Sequence, residues 1–374
     1  MYSIIGIDGI DGAGKGTVSK FIKERLMMMG YHVVTFDPPF YETPSGHIVT
    51  DYLTKGYGDI RDRTIASMIY SFDRNMWLRD HFTESLINPE NWDEFSSDDK
   101  LIILYNRNWL SNVIFQTSIN AQADEDTAHL MGHVYGIIKD ADGKEIQLTM
   151  PTMHRIVNDI KLHGYPSNTC NIRNYRIIRT IQKLYREMRT VMVKNMMRDV
   201  YMMEIAPWHA RLPRETIEER FPMSLPYFNE FDFIDAADAV CNIVLCPHIS
   251  KTSVDILHGN MMKRYEGNES KMDRNEKSSA FLDSVMENIH WINTNMVRIL
   301  HSPSTRATAC IPYAGIKQEF DPFSDSIYLI KKAYSYDILH TTDKVSGAQK
   351  SIETVTNEVM GLLHQRIPNF GIQK

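Results

Sequence analysis

Five short runs of apolar residues recur along the chain, rich in β-branched side chains and without the strict alternation of a half-exposed strand. Helical patterns lie between these runs, which is typical of parallel sheets whose two faces are covered by helices. The predicted strands are residues 3–7, 32–36, 101–105, 239–246 and 336–340. The pattern therefore predicts an α/β fold in which helices flank a five-stranded parallel sheet.

The helix after the first strand has the clearest hydrophobic face in the sequence. Its apolar positions recur at helical spacing, and Gly30 supplies a stop signal. The residues of this face are Val18, Phe21, Ile22, Leu26 and Met29. We expect all of them to be buried against the sheet.

The spacing between the third and fourth strands is too long for a simple crossover. About 130 residues separate them, whereas a crossover between parallel strands needs far fewer. We therefore predict a mostly helical insertion at residues 121–232, centred on a long helical pattern at 173–203. Residues 1–120 and 233–374 would form the core of the fold.

The composition is that of an ordinary globular protein, with 374 residues, 43% hydrophobic and 24% charged. It excludes disordered, collagen-like and disulfide-dense classes, and the net charge of −6 argues against a surface that is basic throughout. The four cysteines lack zinc-ribbon spacing, so free thiols in a reducing compartment are expected. Neither a long apolar run nor a basic N-terminal region occurs, so we expect no membrane span and no secretory signal.

Residues 9–15, with the sequence GIDGAGK, connect the first predicted strand to the first predicted helix. The glycines let backbone N–H groups point at phosphate oxygens, and the following helix N-terminus adds a favourable dipole. Lys15 can reach the β- and γ-phosphates of a nucleoside triphosphate. We therefore predict a P-loop that binds ATP. Its binding residues are predicted to be Asp11, Gly12, Ala13, Gly14, Lys15, Gly16 and Thr17.

Gly16 stands where a P-loop usually carries serine or threonine, and Thr17 follows it. Glycine has no hydroxyl to offer a metal ion, so Thr17 is the candidate Mg²⁺ ligand from this segment. Asp8 is the nearest carboxylate in sequence and is a second candidate. A loop-capping role explains Asp8 equally well.

Four further segments carry polar side chains that suit a nucleotide site. They are residues 37–46, 70–74 (YSFDR), 106–111 (NRNWLS) and the basic stretch 263–276. Together with the acidic P-loop they resemble, in the same order, the thymidylate kinase family of nucleoside monophosphate kinases. The resemblance covers roughly residues 1–120 and 235–290, with a weaker fit over 335–365. It implies a P-loop kinase fold, ATP and Mg²⁺ as cofactors, a basic lid around 260–277 and a homodimer.

Tyr70 and Arg74 are four residues apart and therefore share one face of a helix. A ring that stacks on a base, beside a cation on its carbonyl edge, can read a pyrimidine. A core tyrosine next to a surface arginine is the alternative. The resemblance favours acceptor binding and adds Asp11 as the partner of the sugar 3′-hydroxyl. Arg107, after the third strand, could clamp the acceptor phosphate or form a structural ion pair.

Asn106 stands where the resembling family has aspartate, which leaves the position of the metal site open. Asn106 and Ser111 complete the predicted acceptor-binding residues. In the lid segment, Arg264 and Arg274 have the forked geometry that suits phosphates. With Lys15 and Arg107 they are predicted to be catalytic, by stabilising the negative charge of the transferring group. A solvated charged hairpin, which would include Lys263 and Lys271, is the alternative.

Residues 171–198 contain eight basic residues and one acidic residue, Glu187. Four of the basic residues follow one another at steps of three or four. They are Arg176, Arg179, Lys183 and Arg186. Three explanations stay open for this basic helix at 173–198: a solvated face, a surface that binds DNA or RNA, or a wall of the nucleotide site.

The sequence thus predicts a nucleoside monophosphate kinase that transfers the ATP γ-phosphoryl group to a pyrimidine deoxynucleoside monophosphate, dTMP or a modified analogue. One alternative is a P-loop kinase that phosphorylates a modified base in DNA. Another is a nucleotide-binding module without turnover. No membrane partner is expected, and the predicted location is the cytoplasm. The enlarged, methionine-rich chain suggests a large bacteriophage, in which case this is the host cytoplasm.

Overall fold

A parallel sheet forms the centre of the fold. The computed structural model describes residues 2–55, 63–81, 101–119, 134–164, 166, 171–204, 234, 237–250, 252–268, 276–302, 327–367 and 370–371. Its strands are β1 (Tyr2–Gly9), β2 (His32–Phe36), β3 (Leu101–Asn106), β4 (Ile137–Lys139), β5 (Glu145–Gln147), β6 (Ala239–Cys246) and β7 (Asp337–His340). Five of them form one parallel sheet in the order β2-β3-β1-β6-β7. The predicted α/β class with five parallel strands is confirmed.

Helices separate the strands of the sheet along the chain. They are α1 (Lys15–Met28), α2 (Pro44–Lys55), α3 (Arg63–His81), α4 (Trp109–Gln116), α5 (Met150–His163), α6 (Tyr175–Glu204), α7 (Ser253–Arg264), α8 (Ser279–His301), α9 (Ile327–Tyr334) and α10 (Ile352–Arg366). Side-chain caps set some of their starts, as where Asn108 accepts a hydrogen bond from the Leu110 N–H at the start of α4. Within the described residues, none of these helices has the length and hydrophobicity needed to cross a membrane.

The strand register brings the polar ends of the strands together. Ile7 pairs with Asn106, and Gly9 pairs with Leu245. Since the strands are parallel, all their carboxyl ends lie at one edge of the sheet, where open α/β sheets bind ligands. β1 and β3 are apolar and almost wholly buried, which anchors this edge to the main core.

Helix α1 confirms three positions of the predicted hydrophobic face and corrects two. Met29 follows the last residue of the helix and is only partly buried against the main core. Val18, Ile22 and Leu26 are fully buried in the main core, whereas the side chain of Phe21 is 42% exposed. The buried residues are spaced by four, so the helix turns this narrow stripe to the sheet and leaves Phe21 at its margin.

The region between β3 and β6 has a hydrophobic cluster of its own. Ile181 and Tyr185, on the N-terminal half of α6, belong to this smaller cluster together with residues of α5. Val193 and Met197, further along the same helix, belong to the main core around the sheet. A single 30-residue helix therefore joins the two clusters.

This region also contains an antiparallel hairpin, β4–β5, that the expectation of a mostly helical insertion does not include. Each strand has three residues, most of them exposed, so the sequence contains no apolar run long enough to predict a strand here. The turn is built by Asp140, whose side chain accepts hydrogen bonds from the Asp142 and Lys144 N–H groups, and by Gly143 in the left-handed region. An Asp-Gly pair between apolar segments is the local signal for such a turn.

Candidate active site

The loop between β1 and α1 has the backbone geometry of a phosphate cradle. Gly9, Gly12 and Gly14 all have positive φ. A Cβ atom on Gly12 would lie 2.6 Å from the Leu257 carbonyl oxygen, so only glycine fits there. Helix α1 begins without a side-chain cap, which leaves the N–H groups of its first turn directed at any anion bound before it.

Lys15 and Arg107 meet on the carboxylate of Asp11 in this loop. Lys15 Nζ lies 3.1 Å from Asp11 Oδ1, and Arg107 Nη2 lies 2.9 Å from the same oxygen. Lys15 also donates to the carbonyl oxygens of Gly9 and Ile10, at 2.7 and 3.1 Å. The structure thus places two of the predicted catalytic cations side by side, with Asp11 between them.

Burial and mutual attraction set the charges of this group. Burial alone would raise the pKa of Asp11, but Lys15 and Arg107 hold it well below its usual range. Burial lowers the pKa of Lys15, an effect that Asp11 partly offsets. The pKa of Arg107 is raised, because Asp11, with smaller contributions from Tyr41 and Asp8, outweighs the effect of burial.

Both carboxylate oxygens of Asp8 accept hydrogen bonds from other groups of the protein. One carboxylate oxygen accepts the Gly9 N–H at 2.7 Å, and the other accepts the Ser111 hydroxyl at 2.6 Å. The side chain is buried, and burial raises its pKa despite the opposing influence of Lys15. Asp8 and Ser111, predicted for metal and acceptor, thus contact each other beneath the loop. Thr17, the other candidate metal ligand, is exposed on the first turn of α1, next to the exposed Gly16.

Asn106 links α1 to a carboxylate that the sequence analysis does not select as a site residue. Its Oδ1 atom accepts a hydrogen bond from the buried Ser19 hydroxyl at 2.8 Å, and its amide is near enough to Asp37 to lower the pKa of that carboxyl in part. Partial removal from water raises the pKa of Asp37, although Arg107 and Lys15 are near enough to lower it in part. A carboxylate therefore lies beside Asn106 at the edge of the sheet, supplied by the end of β2 rather than β3.

The pair Tyr70 and Arg74 lies on α3, as the spacing predicts. Tyr70 is half-buried and meets the ring of Tyr52 edge-on at 6.2 Å. Arg74 is 2% exposed and donates to the Ser71 hydroxyl at 3.4 Å. Tyr70 contributes to the raised pKa of Arg107, so the end of β3 and this face of α3 are close enough to interact electrostatically.

Asp73, between them in sequence, holds the loop after β2 against α3. Its carboxylate accepts the Phe40 N–H at 2.9 Å and the Ser45 hydroxyl at 2.8 Å. The side chain is 1% exposed. A carboxylate buried this deeply needs hydrogen-bond donors, and the Phe40 N–H and the Ser45 hydroxyl provide them.

Residues 7–119 match the family model described as thymidylate kinase. The match spans the P-loop, β2 and β3, so this part of the chain is similar to thymidylate kinases. The match confirms the resemblance and the prediction that the chain is a kinase. The solved thymidylate kinase from Candida albicans is similar at 12% identity, over 97% of this chain and 91% of that one, with a TM-score of 0.39. No curated protein matches the chain.

The candidate lid lies after β6, beyond the part matched as a thymidylate kinase domain. Arg264, at the end of α7, forms an ion pair with the buried Glu276 and donates to the Tyr265 hydroxyl at 2.6 Å. Burial alone would lower the pKa of Arg264, but Glu276 raises it, and Asp11 adds a smaller contribution. Arg264 therefore lies within electrostatic reach of the P-loop. Arg274, the other predicted lid cation, lies outside the described residues.

Three histidines lie close together near the ends of β6 and β7, and no local sequence motif indicates them. The rings of His248 and His340 stack at 3.6 Å, and the ring of His290 lies 5.4 Å from that of His340. Burial, followed by the other two histidines, lowers the pKa of His340 to about 4. The nearby Cys246 is free, and burial raises its pKa to about 12, so its thiol is neutral. Among the described residues, no three His, Cys, Asp or Glu side chains are arranged so that they could hold a metal ion, and this holds for the histidine cluster too.

Proposed function

We propose that this chain is a nucleoside monophosphate kinase that transfers the γ-phosphoryl group of ATP to a pyrimidine deoxynucleoside monophosphate, dTMP or a modified analogue. The observation that carries the proposal is the meeting of Lys15 and Arg107 on Asp11. One cation belongs to the P-loop and the other to the end of β3, so the pair spans the positions of donor and acceptor phosphates. Phosphoryl transfer depends mainly on such positioning and on stabilisation of charge.

In this proposal the phosphates displace the carboxylate as the partner of both cations. Lys15 moves from Asp11 and the loop carbonyls to the donor phosphates, and Arg107 clamps the acceptor phosphate with its forked guanidinium. Asp11 is then left to accept a hydrogen bond from the acceptor sugar. Tyr70 and Arg74 would contact the base, and Arg264 would approach from the lid side.

The oxygen donors of this site fit Mg²⁺. The ion favours one or two carboxylates together with phosphate oxygens and water, and Asp37 and Thr17 supply a carboxylate and an exposed hydroxyl near the P-loop. Both oxygens of Asp8 are already hydrogen-bonded, so Asp37 fits better than Asp8. Bound there, the ion would neutralise charge on the donor phosphates.

The test is turnover of ATP and Mg²⁺ with each deoxynucleoside monophosphate, comparing the unmodified chain with Lys15→Ala. The variant should lose about 10²–10³-fold in kcat, the size typical of removing one charge-stabilising donor. Lys20→Ala is the matched control, since Lys20 is exposed on the same helix. Equal turnover in the unmodified chain and Lys15→Ala, or tight ATP binding with no phosphate acceptor at all, would contradict the proposal.

One observation favours a second candidate, a kinase whose acceptor is a hydroxyl group, such as that of a modified base in DNA. A phosphate acceptor is already ionised near pH 7, whereas a hydroxyl acceptor gains from a carboxylate that accepts its proton. Asp37, with its raised pKa and its position beside Asn106 at the end of β2, is suited to this role. Asp37→Asn should then abolish turnover of hydroxymethyl-pyrimidine acceptors far more than that of monophosphates. Equal losses with both would argue against this candidate.

A further inference from the structure

The N-terminal half of α6 carries a straight row of exposed cations. We call Arg176, Arg179, Lys183 and Arg186 the cationic row, and each of them is exposed. Their spacing of three or four residues places them on one face, over about 15 Å of helix at 1.5 Å per residue. Arg173, also exposed, extends the row beyond the helix start.

Within its own stretch of sequence, the cationic row is accompanied by little negative charge. Glu187 is the sole acidic residue from 171 to 198. It lies 3.8 Å from Lys183, whose side chain is 78% exposed, so the pair is weak. The guanidinium of Arg179 lies over the ring of Tyr175, and its Nε–H donates to the Tyr175 hydroxyl at 2.8 Å. Like charges three or four residues apart destabilise a helix, so the row costs the fold stability.

The same helix uses its other cations in a different way. Arg189 is 1% exposed and contacts Glu287 and Asn288 of α8. Lys194 is also buried and donates to the Ser302 carbonyl oxygen. The helix therefore separates cations that fasten it to the core from cations that face solvent, and the second group takes no part in packing the helix.

We propose that the cationic row binds the phosphate backbone of a nucleic acid duplex. A strand of B-form DNA carries one phosphate per 3.4 Å of axis, so a row of about 15 Å runs past about four phosphates and offers four cations. Surfaces for single strands add several aromatic rings on which bases stack. Here Tyr175 is 63% exposed, and the guanidinium of Arg179 lies over one face of its ring, 4.8 Å from the centroid. The duplex is therefore the better match.

This inference goes beyond the proposed kinase activity, which needs no duplex. The test is fluorescence anisotropy of a labelled 20-base-pair DNA from 50 to 300 mM KCl. The unmodified chain should bind with a slope of log K against log [salt] of about −3 to −4, as four phosphate contacts predict. The quadruple variant R176Q/R179Q/K183Q/R186Q should lose at least tenfold in affinity at 50 mM salt, and its slope should approach zero.

The matched control is K20Q/K144Q/K331Q/K344Q, which removes the same charge from four exposed, scattered lysines. It should bind the duplex as the unmodified chain does. Absence of binding at 50 mM salt, or equal weakening in both quadruple variants, would overturn the proposal. So would tighter binding to a single-stranded 20-mer or to polyglutamate. Turnover of monophosphates, measured in the same variants, should not change, which separates this test from that of the kinase activity.

Discussion

Arg107 Nη2 lies 2.9 Å from Asp11 Oδ1, across the junction between the end of β3 and the P-loop. Arg107 has a φ of 49°, in the left-handed region that a bulky side chain seldom adopts. Its backbone N–H donates to the Ile7 carbonyl oxygen at 3.2 Å, so both the main chain and the side chain hold it against β1. A strained arginine fixed at the ligand edge of a sheet is an arrangement typical of functional sites.

Removing the charge of Asp11 should destabilise the fold in a pH-dependent way. Asp11→Asn leaves Lys15 and Arg107 without their shared counter-charge, at a cost of about 2 kcal/mol near pH 7. Because the folded pKa of Asp11 lies below its unfolded value, this contribution is present above about pH 4 and is lost as the pH falls further. Urea unfolding from pH 3 to 7 measures it.

The unfolding free energies of the unmodified chain and of Asp11→Asn should therefore differ at neutral pH and become more similar in acid. Asp238→Asn is the control, since Asp238 is exposed and should change little at any pH. A stability difference between the unmodified chain and Asp11→Asn that stayed constant from pH 3 to 7 would contradict the assigned ion pairs.

Two glycines of the phosphate loop should respond in opposite ways to the same substitution. Gly12→Ala places a Cβ 2.6 Å from a backbone carbonyl oxygen at a φ of 81°, which should destabilise the fold by more than about 2 kcal/mol. Gly16→Ala has open space around the added atom and lies in a helix, so stability should stay equal or rise by up to about 1 kcal/mol. Thermal unfolding of both variants tests this prediction. Similar losses of stability in the two variants would contradict the backbone conformation described for the loop.

The stacked histidines should make the fold sensitive to mild acid. The folded pKa of His340 is lowered to about 4, so between about pH 4 and 6.5 the unfolded chain binds more protons than the folded one. Stability should fall as the pH is lowered through this window, and His340→Gln should flatten that dependence. His47→Gln, at an exposed position, should not. NMR can follow the titration of His340 in the folded chain directly. A midpoint near pH 6.5 would contradict this prediction.

The sequence predicts what depends on neighbouring residues and fails where distant elements meet. The strands are recognisable because burial on both faces leaves apolar runs such as that of β3, and the P-loop glycines lie within a few residues of each other. The contact of Asn106 with Asp37, and the stack of His248 on His340, join different strands, so no local pattern encodes them. Helical periodicity identifies the buried face of a helix but not where its edge lies, which is why Phe21 is expected to be buried and is instead exposed.

The contact between Arg189 and Glu287 should couple α6 to the core of the fold. Arg189 Nη1 lies 3.0 Å from Glu287 Oε1, and the guanidinium stacks on the ring of Trp291 at 4.5 Å. Burial alone would raise the pKa of Glu287, but Arg189 and then His154 lower it, so the carboxylate stays charged. Arg189→Met should cost about 3 kcal/mol, because it leaves a largely buried charge without its main partner.

A double-mutant cycle isolates this coupling. Replacing both residues by methionine should cost less than the sum of the single substitutions by about 1–3 kcal/mol, since no charge is then left without a partner. The exposed pair Lys183 and Glu187 on the same helix provides the comparison and should couple by no more than about 0.5 kcal/mol. If the Arg189 and Glu287 substitutions were additive in urea unfolding, the ion pair would not be what fastens α6. The packing of Val193 and Met197 against the main core would then be the dominant attachment.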